Sequence, residues 1–241
     1  MTTVSGVHIV KSYDEELQRL TAEIQRMGDL ALTELQAAIA AVIERDSDAA
    51  QRIIDSDQAV DALEQEVSQD VIRLLALRQP MARDLREVLA ALRIAAAVER
   101  IGDYAANVAK RAIALNRMDV VRPVFALPRL AELAGELVTE VLLAYHERDA
   151  DRALLAWARD EELDTMHTGL FRELLTYMME DPRTITPCTH LLFMAKNLER
   201  IGDHATNIAE NVYFLVNGVQ IAGARRKGDT SMSIAEVDDP R

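Results

Sequence analysis

With one cysteine, Cys188, in 241 residues, no internal disulfide is possible, and packing and polar pairing alone must hold the chain together. A lone thiol also makes a reducing compartment the simpler setting. Aromatic residues make up 4%, and glycine and proline together number fifteen, a composition poor for sheets and suited to long helices. No stretch reaches the roughly eighteen uncharged apolar residues of a membrane span. The first twenty residues carry Lys11, Asp14, Glu15, Glu16 and Arg19 where a secretory leader needs an apolar run, so a cytoplasmic location is expected. Positive charge is in deficit: 27 Lys and Arg face 40 Asp and Glu, and a net charge of -13 opposes general affinity for nucleic acid or anionic lipid. The chain has no P-loop, GxSxG elbow or CxxC pair, so a metabolic enzyme finds little support.

What the chain does contain, it contains twice. Glu99 to Ala109 reads ERIGDYAANVA and Glu199 to Ala209 reads ERIGDHATNIA, eight of eleven positions agreeing at an offset of one hundred. In each copy two acids and an asparagine recur at steps of four: Glu99, Asp103 and Asn107, then Glu199, Asp203 and Asn207. On a helix turning about 100° per residue, each step drifts by only about 40°, so the three side chains form one stripe. On the same wheel Arg86, Arg93, Arg100 and Arg111 fall together, roughly 100° to 140° from Glu99, so the acids border a basic edge without sitting in it. Two carboxylates about 6 Å apart repel by about 3 kcal/mol at an effective dielectric of 20, so a partly buried pair needs a cation, a proton or an arginine.

The apolar spacing predicts three helices in each half. Ser12, with Glu15 three places on, reads as a capping box opening a helix to about Arg45. Asp46-Ser47-Asp48 breaks it, a second helix continues to about Arg78, and Pro80 ends that one. A third, from about Ala82 to Asn116, carries the first motif, and Arg117 to Pro128 is the candidate linker. Helices from about Arg129 to His146, Asp151 to Glu180 and Pro187 to Asn217 repeat the plan. The expected fold is therefore all-α, two tandem up-down three-helix bundles related by the internal repeat: residues 1-120, residues 121-218, and a mobile polar tail over 219-241 containing Arg225-Arg226-Lys227.

The repeat reaches further back. Glu44 to Asp48 matches Glu147 to Asp151 at an offset of 103, which aligns Asp57 and Asp61 with Asp160 and Asp164, and Glu64 with His167. In an up-down bundle, the acids of the second and third helices can converge across one interface. Such oxygen-rich sites suit Mg, Mn, Ca or iron and fit zinc poorly. The Glu-x-x-His pattern of di-iron bundles is absent. The competing plain reading pairs Arg100 with Asp103 and Arg200 with Asp203 as i,i+3 bridges at the helix edge, worth a few tenths of a kcal/mol. Trp157 and Met178-Met179 read as packing, and His204 as an ordinary helix-face residue.

These residues resemble a known family, the PhoU phosphate-transport regulators. The two ERIGD stretches with their asparagines, the run Gln79 to Ala95, the opening His8 to Leu17, and Asn207 to Gly218 are all similar to it, over about residues 7 to 218. The resemblance implies a metal-binding, non-catalytic protein of the bacterial cytoplasm, commonly a homodimer. It also implies a negative regulator linking the phosphate ABC transporter, through its ATPase subunit, to a sensor histidine kinase, with no direct nucleic-acid contact and membrane proximity only through partners. By position, the family's metal motif falls on Asp57, Asp61, Glu99, Asp103 and Asn107, and on Asp160, Asp164, Glu199, Asp203 and Asn207, for iron, manganese, magnesium or zinc. Two departures stand out: His167 replaces Glu64, and Pro187-Cys188-Thr189-His190 replaces the first half's ARDLREVL run. The alternatives are a metal-dependent bundle enzyme, a di-iron oxidase or phosphohydrolase, and a scaffold holding only structural salt bridges.

Overall fold

A computed structural model describes residues 4–222, with side chains from residue 15 onward. Among the described residues there is no strand, and the helices are α1 Val4–Ile43, α2 Ser47–Ser56, α3 Gln58–Arg78, α4 Arg83–Leu115, α5 Leu127–Glu147, α6 Ala150–Glu180 and α7 Ile185–Asn217. None of them is long and apolar enough to cross a membrane. The basic triplet at 225–227 and the acidic end of the chain lie outside the described residues.

The matched Glu-Arg-Asp segments do the same work in each half. Arg45 and Arg148 take left-handed backbone, with φ of 60° and 55°, and so end α1 and α5. The next residue caps the following helix: the Asp46 carboxylate accepts the N–H groups of Asp48 and Ala49 at 3.0 and 2.8 Å, and Asp149 accepts that of Arg152 at 2.9 Å. The strained arginines are anchored by their own guanidinium groups. Arg45 donates to the carbonyls of Asn116 and Met118, closing α1 onto the end of α4, and Arg148 forms an ion pair with the buried Glu87 of α4, tying the second half to the first.

Two expectations are corrected. The first helix runs unbroken through Ser12 from Val4, so Ser12 opens nothing. The second helix of the first half is two helices: Asp57 is the joint, where its carbonyl accepts the N–H of Val60 at 3.0 Å while the ordinary bond from Asp61 stretches to 3.4 Å. This tightened turn brings Ser56 and Asp57 toward α1 and α4. The Arg117–Pro128 linker is packed: it forms a 3-10 turn over Arg122–Ala126 and buries Val121, Pro123 and Val124.

The core is built from aliphatic stripes, Leu20, Ile24, Met27, Leu35 and Val42 on α1 and an alanine-rich face of α4 that includes Ala91, Ala95, Ala105, Ala109 and Ala112. Small side chains let helices approach closely, and α4 packs against both α1 and α7. The motif helices α4 and α7 run antiparallel. Arg86 near the start of α4 approaches Gly218 beyond the end of α7, Tyr104 meets His204 with ring centroids 5.6 Å apart, and Arg111 near the end of α4 lies over Phe193 near the start of α7. A pseudo-twofold axis therefore passes near Tyr104 and His204 and places the two acid stripes on opposite flanks. Gly218, at φ 71°, donates its N–H to Phe214 and ends α7 in the left-handed conformation glycine favours.

Candidate metal centres

In the first half, α4 presents Glu99 and Asp103 toward the α2–α3 joint, and α1 adds an acid the repeat did not mark. Glu34 is 6% exposed, its Oε1 accepts from the Ser56 hydroxyl at 3.0 Å, and its Oε2 is buried without a hydrogen-bond partner. Asp57 Oδ1 is orphaned in the same way. Gly102 lies beside both orphaned oxygens: a β-carbon there would be 3.4 Å from Asp57 Oδ1 and 3.6 Å from Glu34 Oε2. Burial, with the fields of Asp57 and Asp61, pushes the Glu34 carboxyl up to about 7 against the stabilising Ser56 bond. Burial also raises Asp57, helped by Asp103 and Asp61 and opposed by Lys110, and raises Glu99, helped by Asp103, Asp61 and Glu64 and opposed by Arg100. Glu34, Asp57, Asp61, Glu99 and Asp103 thus form one electrostatic group drawn from α1, the α2–α3 joint, α3 and α4. The i,i+3 bridge is present on its rim, where Arg100 reaches Asp103 at 2.7 Å and also Glu99 at 3.2 Å.

The second half differs. Asp160, Asp164 and Glu199 are buried at 1%, 1% and 3% exposure, deeper than their first-half counterparts, and His167 is buried beside them on α6 at 2%. Glu199 carries a built-in cation, Lys196 Nζ at 2.8 Å, where the first half has Ala96. Burial raises the Glu199 carboxyl, the Lys196 bond opposes this, and Asp203 and Asp164 add to the rise. The expected Arg200–Asp203 bridge does not form, because Arg200 instead lies 5.7 Å from the Tyr104 ring centroid. Leu137 stands where the first half has Glu34, counting by the offset of 103.

Each motif asparagine makes a hydrogen bond on its own helix. Asn107 Oδ1 accepts from Lys110 at 3.4 Å, while the exposed Asn207 offers its carbonyl to Asn211 at 2.7 Å. Trp157 Nε1 donates to Glu210 at 3.1 Å and joins α6 to α7, Met178 packs against the core, and Met179 is 85% exposed outside it. Among the described residues, no three Asp, Glu, His or Cys side chains draw together tightly enough to enclose an ion as they stand. The donor chemistry nevertheless fits a hard cation in the first half: two buried oxygens without donors and three carboxyls raised by burial and by one another's fields are what a divalent ion would satisfy. Open grooves of about 510 Å³ between α1 and α5 and about 600 Å³ beside the linker lie away from both acid groups.

The two motif glycines predict opposite outcomes. Gly102→Ala makes ordinary contacts at 3.4 to 3.6 Å and gains the roughly 0.5–1 kcal/mol of replacing a helix-interior glycine. Gly202→Ala places a β-carbon 2.3 Å from Leu163 Cδ2 and 2.7 Å from Asp160 Oδ1 inside the core, an overlap costing about 1–3 kcal/mol that outweighs the gain. Thermal melts of the two metal-free variants therefore shift in opposite directions, and a matched loss in both contradicts this geometry.

Two duplicated helical units, packed about a pseudo-twofold and bearing acid groups on opposite flanks, define an all-α tandem-repeat protein. The family model described as PhoU domain matches twice, at residues 24–112 and 127–212. The chain belongs to the PhoU family. It is 58% identical to a phosphate-specific transport system accessory protein PhoU homolog of Xylella fastidiosa (strain 9a5c), over 97% of this chain and 99% of that one. It is 51% identical to a Caulobacter vibrioides homolog of the same name, over 92% and 97%. Its fold superposes on the crystal structure of PhoU from Pseudomonas aeruginosa with a TM-score of 0.83 at 36% identity, covering 86% of this chain and all of that one. The phosphate transport system regulatory protein PhoU from Streptococcus pneumoniae gives 0.81 at 28% identity, over 87% of this chain and 99% of that one.

Proposed function

We propose that the chain is a cytoplasmic, non-catalytic negative regulator of the phosphate-starvation response. It takes up divalent or trivalent metal on its acid groups and, as a homodimer, links the ATPase subunit of a phosphate ABC transporter to a sensor histidine kinase. Membership of a family whose relatives are named accessory and regulatory proteins of phosphate transport supports the regulatory role. The observation that carries the metal reading is the pair of orphaned buried oxygens, Glu34 Oε2 and Asp57 Oδ1, within one acid group. In that group Glu34, Asp57, Asp61, Glu99 and Asp103 would hold the ion, and in the second half Asp160, Asp164, Glu199 and Asp203, with Lys196 displaced from Glu199. Bound metal supplies positive charge at these faces. The side chains supply its position, on helices fixed by the core, and present a neutralised surface to partners in place of a repulsive one.

The scaffold reading has one specific observation behind it, the hold of Arg100 on both Glu99 and Asp103. Changing Glu99 and Asp103 together to Ala separates the two. The metal-dependent reading predicts derepressed phosphate-starvation genes in cells whose variant protein keeps its helical circular dichroism. Unchanged repression contradicts that reading, since removing two rim bridges of a scaffold leaves its docking intact.

A further inference from the structure

The seam between α4 and α7 holds arginines that nothing in the acid groups uses. Arg86, Arg93 and Arg111 lie along one edge of α4, and Arg200 joins them from α7 across the pseudo-twofold. In a chain with 40 acids against 27 bases, none of these four has a carboxylate partner among the described residues. Arg86 Nε is buried with no acceptor. Arg111 lies 4.1 Å over the ring of Phe193, itself half exposed, and Arg200 stacks toward Tyr104. The positive field is felt locally: after burial itself, Arg111 lowers His190. Several acids close by in sequence are already held elsewhere, Glu87 by Arg148, Glu99 and Asp103 by Arg100, and Glu199 by Lys196.

We infer that this seam is a docking surface for an acidic amphipathic helix of a partner protein, its carboxylates reading Arg86 and Arg93 and its apolar side resting on Phe193. The inference stands apart from the metal reading, because none of these arginines belongs to the acid groups. Spacing points to a helix. Arg86 and Arg93 are one heptad apart, about 10.5 Å along the axis, the interval at which a second helix presents glutamates from one face into a groove. Planar guanidinium groups accept carboxylates in bidentate fashion and stack on aromatic rings, which suits both halves of this surface. Charge balance points to a protein rather than nucleic acid or membrane. A polyanion reaching beyond the seam by more than the screening length of about 8 Å meets two flanking acid groups and a net charge of -13, and a few carboxylates on one helix do not.

The test is fluorescence anisotropy with a labelled four-heptad helical peptide, about 42 Å long and carrying glutamates one heptad apart, titrated with the full chain at low salt and again near physiological salt. Binding to the wild-type chain is expected to weaken roughly tenfold with the exposed Arg93→Glu and with Arg86→Gln, to be largely retained with Arg86→Lys, and to be unchanged with Arg122→Glu, an exposed arginine beyond the end of α4 opposite Arg86 and Arg93. Circular dichroism checks each variant's fold, and Arg93→Glu alone suffices if Arg86→Gln unfolds. Equal loss with Arg122→Glu, no binding to the wild-type chain, or a preference for a single-stranded oligonucleotide or phosphatidylserine vesicles over the peptide overturns the inference.

Discussion

Glu34→Gln makes the metal-free chain more stable at pH 8 by about 3 kcal/mol, an unusual gain for a buried substitution. Glu34 is 6% exposed with a carboxyl pushed up to about 7 from an ordinary 4.5. Below about pH 4.5 folded and unfolded states both hold the proton, and variant and wild type are alike. Between there and about pH 7 only the folded state keeps it, so the wild type loses stability as pH rises, at about 1.4 kcal/mol per unit of displacement. Glutamine never ionises and escapes that loss. Asp57, Glu99 and Glu199 are displaced in the same direction and leave a residual decline in the variant. Urea titrations in chelator at pH 5 and pH 8 measure the gap. A variant less stable than wild type at pH 8 contradicts the account.

Metal reverses the sign. An ion that binds only the folded chain stabilises it by about 2.7 kcal/mol at a hundredfold excess over its dissociation constant, and for a chain of this size each kcal/mol moves the melting temperature by about 2–4 °C. Manganese added to chelator-treated protein should therefore raise the melting temperature by roughly 5–10 °C for one filled site. Replacing Asp57, Asp61, Glu99 and Asp103 together with Ala abolishes the first half's share. Glu34→Gln, the more stable chain without metal, gains less than wild type when metal is added. The second half responds more weakly, because an ion must displace Lys196 from Glu199 there. Calorimetry with and without manganese gives both numbers, and equal gains in the wild-type and quadruple variants contradict the reading.

The duplication made most of this legible. An offset of one hundred residues gave three helices per half, and four acids at matched positions gave each cluster's outline. Glu34 escaped because it has no twin, Leu137 standing at the matched place. A signal for it was present nonetheless: Leu20, Ile24, Met27 and Ala31 run at steps of three and four, and the next step falls on a carboxylate inside the apolar stripe. The break at Asp57 had no such signal, since no Gly or Pro marks it and the bend arises from what Ser56 and Asp57 face on α1 and α4. Lys196 was visible as Ala96's counterpart, but its bond to Glu199 follows from tertiary burial, which periodicity does not report. Likewise Arg200 follows its ring contact with Tyr104 across the pseudo-twofold rather than the i,i+3 rule that Arg100 obeys.

The account rests on positive charge lying between α1, the α2–α3 joint and α4. Anomalous difference maps at the iron and manganese edges, from crystals of protein purified without chelator or added metal, test this most directly. A peak within coordination distance of Asp57 and Glu99, with Glu34 turned toward it, is the predicted result. Density showing those carboxylates bonded only to water and to Arg100, with no anomalous peak between them, contradicts it.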